Sequence, residues 1–438
     1  MALKHVIFLV ILLCHTFLLE DRYGYLASEP SVLYVQIWGL SAVTALYGLL
    51  YLALSPQNKI SDPDRDTKRL GIILVATLAV TLVFSLITGG LTQGEGTGLM
   101  EIRASVILVF MYFTFRRYLN KAQIEPFVEV FYQLSLLSAA VFLFIYLGRF
   151  DIMVSAVDQY GRSTAFEGGF LFIWSIFFCY ALANTILRRK PLYNTLSCVL
   201  LGFTVFLSFR RSFALLLIGS AFIMFFVLPS SSLRQSLSRK AKLALCVALV
   251  GALVMWRQPE LVSRINPADF FRKGSEAYAK SYSSNVGHMA DLKVGLELVR
   301  KNPIFGLGFG IPIRGTNDET IASSLLHSQV LHFWVRMGFL GVCLIHCFYY
   351  IMLKRAYVVI KKSDNAFNKA FGLAVYAFFF SHYLLSVIAP PFYISQKMQF
   401  IFMLLMVITE ILYQQVGERS SRLIVKIKLI LRSKVLTS

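Results

Sequence analysis

The chain has 438 residues, 57% of them hydrophobic and 14% aromatic but only 15% charged, whereas soluble domains carry roughly 25% charged residues. That balance excludes the two or three soluble domains that the length alone would allow. The formal net charge of +20 does not point to a nucleic-acid partner, because basic residues between apolar segments are what membrane orientation requires.

The first apolar segment, residues 4–20, follows Lys4 and resembles a signal peptide. No small-x-small site follows it, and Leu13 before Cys14 is too large for a lipoprotein site. It reads as an uncleaved first span. Further blocks follow at 31–54, 70–89, 101–116, 126–148, 167–187, 192–209, 212–229, 242–256, 325–353, 367–389 and 395–416. They suit a hydrocarbon core about 30 Å thick. Without water in that core each segment must satisfy its own backbone, so helices are expected. The block at 325–353 is long enough to bend.

The expected fold class is therefore all-α: a polytopic membrane protein with about 12 transmembrane helices and one large outer, periplasmic loop holding short amphipathic helices. Residues 1–256 carry the first nine helices, 257–324 the loop, 325–416 the last three helices and 417–438 a basic cytoplasmic tail. The six cysteines all lie in apolar segments without metal-ligand spacing. They read as small apolar side chains.

Charge gives the orientation. With the N-terminus inside, the inside connections hold Lys59, Arg65, Lys68 and Arg69, then Arg116 and Arg117, then Arg188 to Lys190. Arg234, Arg239 and Lys240 follow, then Lys354, Arg355, Lys361 and Lys362. Each such connection is basic, whereas the short alternate ones hold few cations apart from one arginine pair, a pattern that places both termini on the cytoplasmic side of a bacterial inner membrane. The tail intersperses Leu423, Ile424, Ile427 and Ile430 with cations. It suits an amphipathic helix on anionic membrane lipid.

One basic pair breaks the rule. Arg210 and Arg211 fall at an outer turn with no acid near them in sequence. Such a pair either snorkels to water or faces an anion. The long connection 257–324 exceeds ordinary lengths and so reads as functional. Within it Ser284 to Asn302 suits an amphipathic helix, with Met289, Leu292, Leu296 and Val299 on one face and Pro303 beyond its end. Gly306, Gly308 and Gly310 follow. With no preceding soluble strand they suit a tight, backbone-exposed loop at a membrane surface, not a dinucleotide fold. On the next helix His327, Leu331, Trp334 and Gly338 share one face, and His332 and Arg336 another. A histidine where a loop enters the membrane suits a structural role or a general base. Asp62-Pro-Asp64 is a D-x-D pair among lysines and arginines; without a Rossmann context it reads as a solvated turn, not a metal site.

Three of these motifs, taken together, resemble the O-antigen ligase and polymerase superfamily of bacterial membrane glycosyltransferases. They are Arg211-Ser212, with Arg210 beside it; Pro303-Ile-Phe-Gly-Leu-Gly308; and His327-Ser-Gln-Val-Leu331 with Gly338-Phe-Leu-Gly341. Two positions depart from the family pattern. The register of a second arginine holds His288, and the usual asparagine after the histidine is Ser328. The resemblance implies glycan transfer from an undecaprenyl-diphosphate-linked donor at the periplasmic face, onto another glycan (polymerase) or lipid A–core (ligase). It assigns catalysis to His327 and Arg211, diphosphate binding to Arg210, Arg211 and His288, and a place near the site to Gly306 and Gly308. No metal or other cofactor is implied, since fixed arginine charge takes the place of a divalent ion. His288 in the arginine register favours polymerase over ligase; Lys293, Arg300 and Arg314 remain alternatives for the second cation. The rival from another class is a transporter or flippase of lipid-linked oligosaccharide, which repeat symmetry and mid-membrane charge would mark. The sequence shows no internal repeat, and its mid-span ionisable residues are few.

Overall fold

The computed structural model describes residues 63–88, 122–147, 169–187, 190–207, 211–227, 292–310, 328–387 and 401–417, with shorter stretches between 108 and 119 and at 313–314, 322–323, 326 and 398–399. These residues form an all-helical bundle apart from one two-residue ladder. The described helices fall on the apolar blocks expected from sequence. The expected spans at 4–20, 31–54 and 242–256, the tail 417–438 beyond its first residue, and most of 257–324 lie outside the described residues.

Helix α1 (Arg65–Ile87) shows why this bundle belongs in lipid. Its buried stripe is Thr67, Leu70, Thr77, Thr81 and Ser85, while Ile72, Val75, Val83 and Leu86 are exposed. Polar groups face in and apolar ones out, the reverse of a helix on a soluble core. The hydroxyls of Thr77, Thr81 and Ser85 donate to the carbonyls four residues earlier at 2.6–2.7 Å, so none is left bare in hydrocarbon. Among the described residues three helices are long and apolar enough to cross a membrane: Arg65–Ile87, Ile124–Phe144 and Gln329–Lys362.

Helix α2 (Ile124–Leu147) leads to α3 (Gly169–Ile186). Apart from a half-buried Phe177, the described side chains of α3 are buried, as expected of a helix apolar all round. It stands at the centre, against α2, α4 (Pro191–Leu207), α5 (Arg211–Val227) and α8 (Ala366–Leu385). Pro191 opens α4, where a missing N–H costs nothing. On α5, Leu215, Ile218, Phe222 and Phe226 are exposed at helical spacing and form a second lipid face. Helical residues 292–301 (α6) precede strands β1 (Ile313–Arg314) and β2 (Ala322–Ser323), which pair antiparallel. Then come α7 (Gln329–Lys362), α8 and α9 (Ile401–Gly417).

Helix α7 is not one rod. Gly338 has φ 63° and ψ −155°, outside any helical geometry. On a straight helix Gln329 and Tyr349 would stand about 30 Å apart. Instead the Gln329 amide donates to the Tyr349 hydroxyl at 3.1 Å. The chain folds back at Gly338, giving a short arm (329–337) lying along a long arm (339–362). This is sharper than the bend expected for 325–353.

The long arm runs antiparallel to α1. At one end Asp64 and Asp66 meet Arg355 and Lys354; at the other Ser85 and Thr88 meet the 303–310 loop. Thr67 and Ser85 lie 18 residues apart on α1, about 27 Å at 1.5 Å per residue. Two polar layers are thus separated by close to one hydrocarbon thickness.

Candidate functional site

The loop end of the bundle is built by the break at Gly338. A turn out of the helix leaves carbonyls and N–H groups without their usual partners. The glycine loop takes them. Leu307 N–H donates to Val335 O at 2.7 Å, Gly308 N–H to Arg336 O at 3.0 Å, and Phe339 N–H to Ile304 O at 2.9 Å. From the other side Phe309 N–H donates to Ser85 Oγ at 2.6 Å, and the Thr88 hydroxyl lies 3.1 Å from Leu307 O. Phe305 stacks on Phe84 at 4.7 Å. The loop is therefore wedged between α1 and α7, with Gly306, Gly308, Phe309 and Gly310 buried. The expectation of a backbone-exposed loop is corrected. Its backbone is paired because Gly338 supplies the partners.

Glycine is required at this contact. Gly308 has φ +86°, and a Cβ there would lie 2.6–2.8 Å from the Oγ, Cα and backbone N of Ser85. Backbone cannot yield as a flexible side chain can. Gly308→Ala combines a left-handed penalty of about 1–2 kcal/mol with an overpacking cost of about 1–3 kcal/mol. The expected result is a thermal midpoint several degrees lower in detergent and a loop that is cleaved faster by protease. Gly71→Ala on α1, where a Cβ meets nothing within 4 Å, serves as the neutral control.

His332 and Arg336, expected to share a face, are both fully buried. His332 Nδ1 accepts from Leu326 N–H at 3.5 Å, and Arg336 Nη1 donates to Gly308 O at 3.4 Å. Arg336 thus holds the loop through its side chain as well as its carbonyl. Ser328 caps α7, its side chain accepting from Leu331 N–H at 3.2 Å. Serine caps a helix about as well as asparagine, so that departure from the family pattern keeps the local geometry. The N–H groups of Gln329 and Val330 donate to Ser386 O at 2.9 and 3.4 Å.

Helix α6 packs on the short arm through Val294, Val299, Leu326, Leu331 and Val335. Gly295 lets Leu331 approach; a Cβ there would come within 2.3 Å of it. The expected buried face is corrected at Leu296, which is exposed. The face is rotated toward Val294 and Gly295 because the short arm meets α6 there. Trp334 Nε1 donates to Pro303 O at 3.0 Å and ties the end of α6 to the same arm.

The residues singled out in sequence stand as follows. Gly306 and Gly308 form the buried contact just described. Arg211 is the first residue of α5; its side chain, together with Arg210, His288 and His327, lies outside the described residues. Lys293 and Arg300 are on the exposed side of α6. The neighbours of Arg211 and His327 do converge. Phe213, two residues into α5, packs edge-on against Phe172. Phe172 touches the His382 ring at 5.2 Å, His382 bonds to Tyr349, and Tyr349 accepts from Gln329, two residues after His327. Among the described residues no group of histidine, cysteine, aspartate or glutamate has metal-site geometry. The Asp62–Asp64 pair is not the expected solvated turn either. Asp62 lies outside the described residues, while Asp64 caps α1 and pairs with Arg355; that partner is 291 residues away.

Comparison with curated proteins gives no match. Residues 196–346, which run from α4 to the long arm of α7 and contain all three motifs, match the family model for O-antigen ligase. The resemblance read from the arginine, the loop glycines and the histidine is borne out by that match, and over these residues the chain is similar to the O-antigen ligase family.

Proposed function

We propose that the chain is a metal-independent glycosyltransferase that moves glycan from an undecaprenyl-diphosphate-linked donor at the periplasmic face of the bacterial inner membrane. The acceptor in this reading is a second lipid-linked glycan, the polymerase form, because His288 occupies the register of the second arginine. One observation carries the proposal. The segments that bear Arg211 and His327 meet through Phe213, Phe172, His382, Tyr349 and Gln329, on the loop side of the buried Arg355. The opposite end gathers Arg116, Lys354 and Arg355, which supports a cytoplasmic assignment there by the positive-inside rule. About twelve spans, cytoplasmic termini and a periplasmic 257–324 loop complete the topology.

The chemistry follows from the residue types. An acceptor hydroxyl attacks the anomeric carbon as the bond from that carbon to the phosphate oxygen breaks. The diphosphate leaves with the bonding electrons, and Arg211 with Arg210 stabilises that growing charge. His327 takes the hydroxyl proton. His288 is a further donor to the diphosphate.

The deciding experiment uses purified protein in vesicles with lipid-linked donor and acceptor and no energy source. New glycosidic bonds and released undecaprenyl diphosphate are expected, at a rate that EDTA leaves unchanged. Movement of intact sugar-lipid across the vesicle without bond formation would overturn the assignment in favour of a flippase.

A further inference from the structure

The fold-back of α7 leaves a problem at its tip. The short arm spans residues 329–337, too short to hold its own orientation as an isolated helix. Yet His327 joins the chain two residues before it. Something outside the arm must fix its first turn.

The structure supplies a buried chain of three side chains. Gln329 is fully buried, and its Nε2–H donates to the Tyr349 hydroxyl at 3.1 Å. Tyr349 and His382 Nδ1 form a short hydrogen bond. A hydroxyl has one proton and two lone pairs, so Tyr349 accepts from the amide and bonds to His382 Nδ1 in either ring tautomer. His382 Nε2 has no hydrogen-bond partner among the described residues and sits in a ring of Phe172, Phe378 and Phe402. The chain thus begins at the arm and ends in an apolar wall. It crosses the Gly338 fold-back through Tyr349 on the long arm and reaches α8, whose Ser386 carbonyl holds the Gln329 N–H as well.

We propose that Tyr349 and His382, acting through Gln329, are positioning residues that hold the first turn of the short arm, two residues beyond His327 in sequence, against the end of α8. The inference rests on the glycosyltransferase reading. Polar groups this deep are costly unless paired, and no charge or ligand has to be bound for these three to be paired. Their product is orientation: one register between the two arms and a wall shared with Phe213 of α5, the helix that Arg211 opens.

The test uses the full-length enzyme with lipid-linked donor and acceptor. Tyr349→Phe keeps the ring and removes the hydroxyl; His382→Phe suits the aromatic wall and removes the hydrogen-bonding nitrogen. Both are expected to lower kcat at least tenfold with donor KM within twofold, at unchanged abundance and melting temperature. His382→Asn keeps a hydrogen-bonding group at the Nδ1 position and is expected to recover most of the turnover. Hydrogen exchange reads the same device without any activity. In Tyr349→Phe the amides of 328–331 are expected to exchange at least tenfold faster, while those of 350–362 stay as they were. Wild-type kcat in both phenylalanine variants, or a loss carried by KM or by melting, would overturn the proposal. Unchanged exchange at 328–331 would overturn it as well. Turnover that survives His327→Ala instead sinks the underlying reading, and the exchange result then stands by itself.

Discussion

Arg211→Ala is expected to reduce glycan transfer by roughly a thousandfold, the loss seen when one preorganised donor to a developing oxyanion is removed, while the protein remains in the membrane at normal abundance. Arg211 opens α5, a helix with an apolar packing face. Phe213, Leu216 and Leu217 are buried behind it and carry the packing. In this reading the guanidinium serves the diphosphate, and its replacement is felt in turnover. Arg211→Lys keeps the charge but not the planar fork that matches phosphate, so an intermediate loss is expected. His327→Ala should lose roughly 10²–10⁴-fold, the range for a general base. Single-turnover transfer with purified protein and saturating donor measures both. Full turnover in either variant removes that residue from the mechanism.

How much of this was legible in the sequence depends on the range of the interactions. Helices α2, α3, α5 and α8 lie on the expected apolar blocks because block length alone decides whether a segment can cross lipid. Helix α1 begins at Arg65, earlier than the expected 70, because its first turn is polar and capped by Asp64; hydropathy does not register a cap. The glycines at 306 and 308 were visible as a motif, but their burial was not. It follows from carbonyls freed at Gly338, some thirty residues on in the chain, and no local pattern announces that two such segments will pair. The short arm shows the same limit. Its apolar pattern is continuous with the long arm, and only the positive φ at Gly338 separates them. Gln329, Tyr349 and His382 were not singled out at all, since single polar residues spread over apolar helices carry no spacing signal. The motif residues Arg211 and His327 could be named from the family resemblance, while the framework that gathers their neighbours required coordinates.

The other large effect is expected at the lysine end, in protein stability. Glu410 is fully buried on α9, and it accepts from Tyr112 at 2.9 Å and from Asp64 N–H at 3.0 Å. Arg355, also fully buried, donates to Asp64 Oδ1 at 2.5 Å and to the Thr67 hydroxyl, with Nη1 4.0 Å from Glu410. Arg116 joins through Gln414 at 2.7 Å. One network therefore ties α1, α7, α9 and the helical residues around 112–116. Removing one member strands the others: Arg355→Met leaves Asp64 and Glu410 with less compensation, a cost of about 3–5 kcal/mol for a broken buried pair. Loss of most folded, monodisperse protein is expected. Adding Asp64→Asn to Arg355→Met keeps the α1 cap while removing one stranded charge, so the double variant should recover part of the loss. Lys354 is the internal comparison. Its pair with Asp66 measures 2.6 Å, but its side chain is 38% exposed, and exposed pairs contribute about 0–1 kcal/mol. Thermal midpoints in detergent separate the two cases. If Arg355→Met melts where Lys354→Ala does, the buried network is not what holds α1 and α9 to the long arm, and the apolar contacts of the bundle must suffice by themselves.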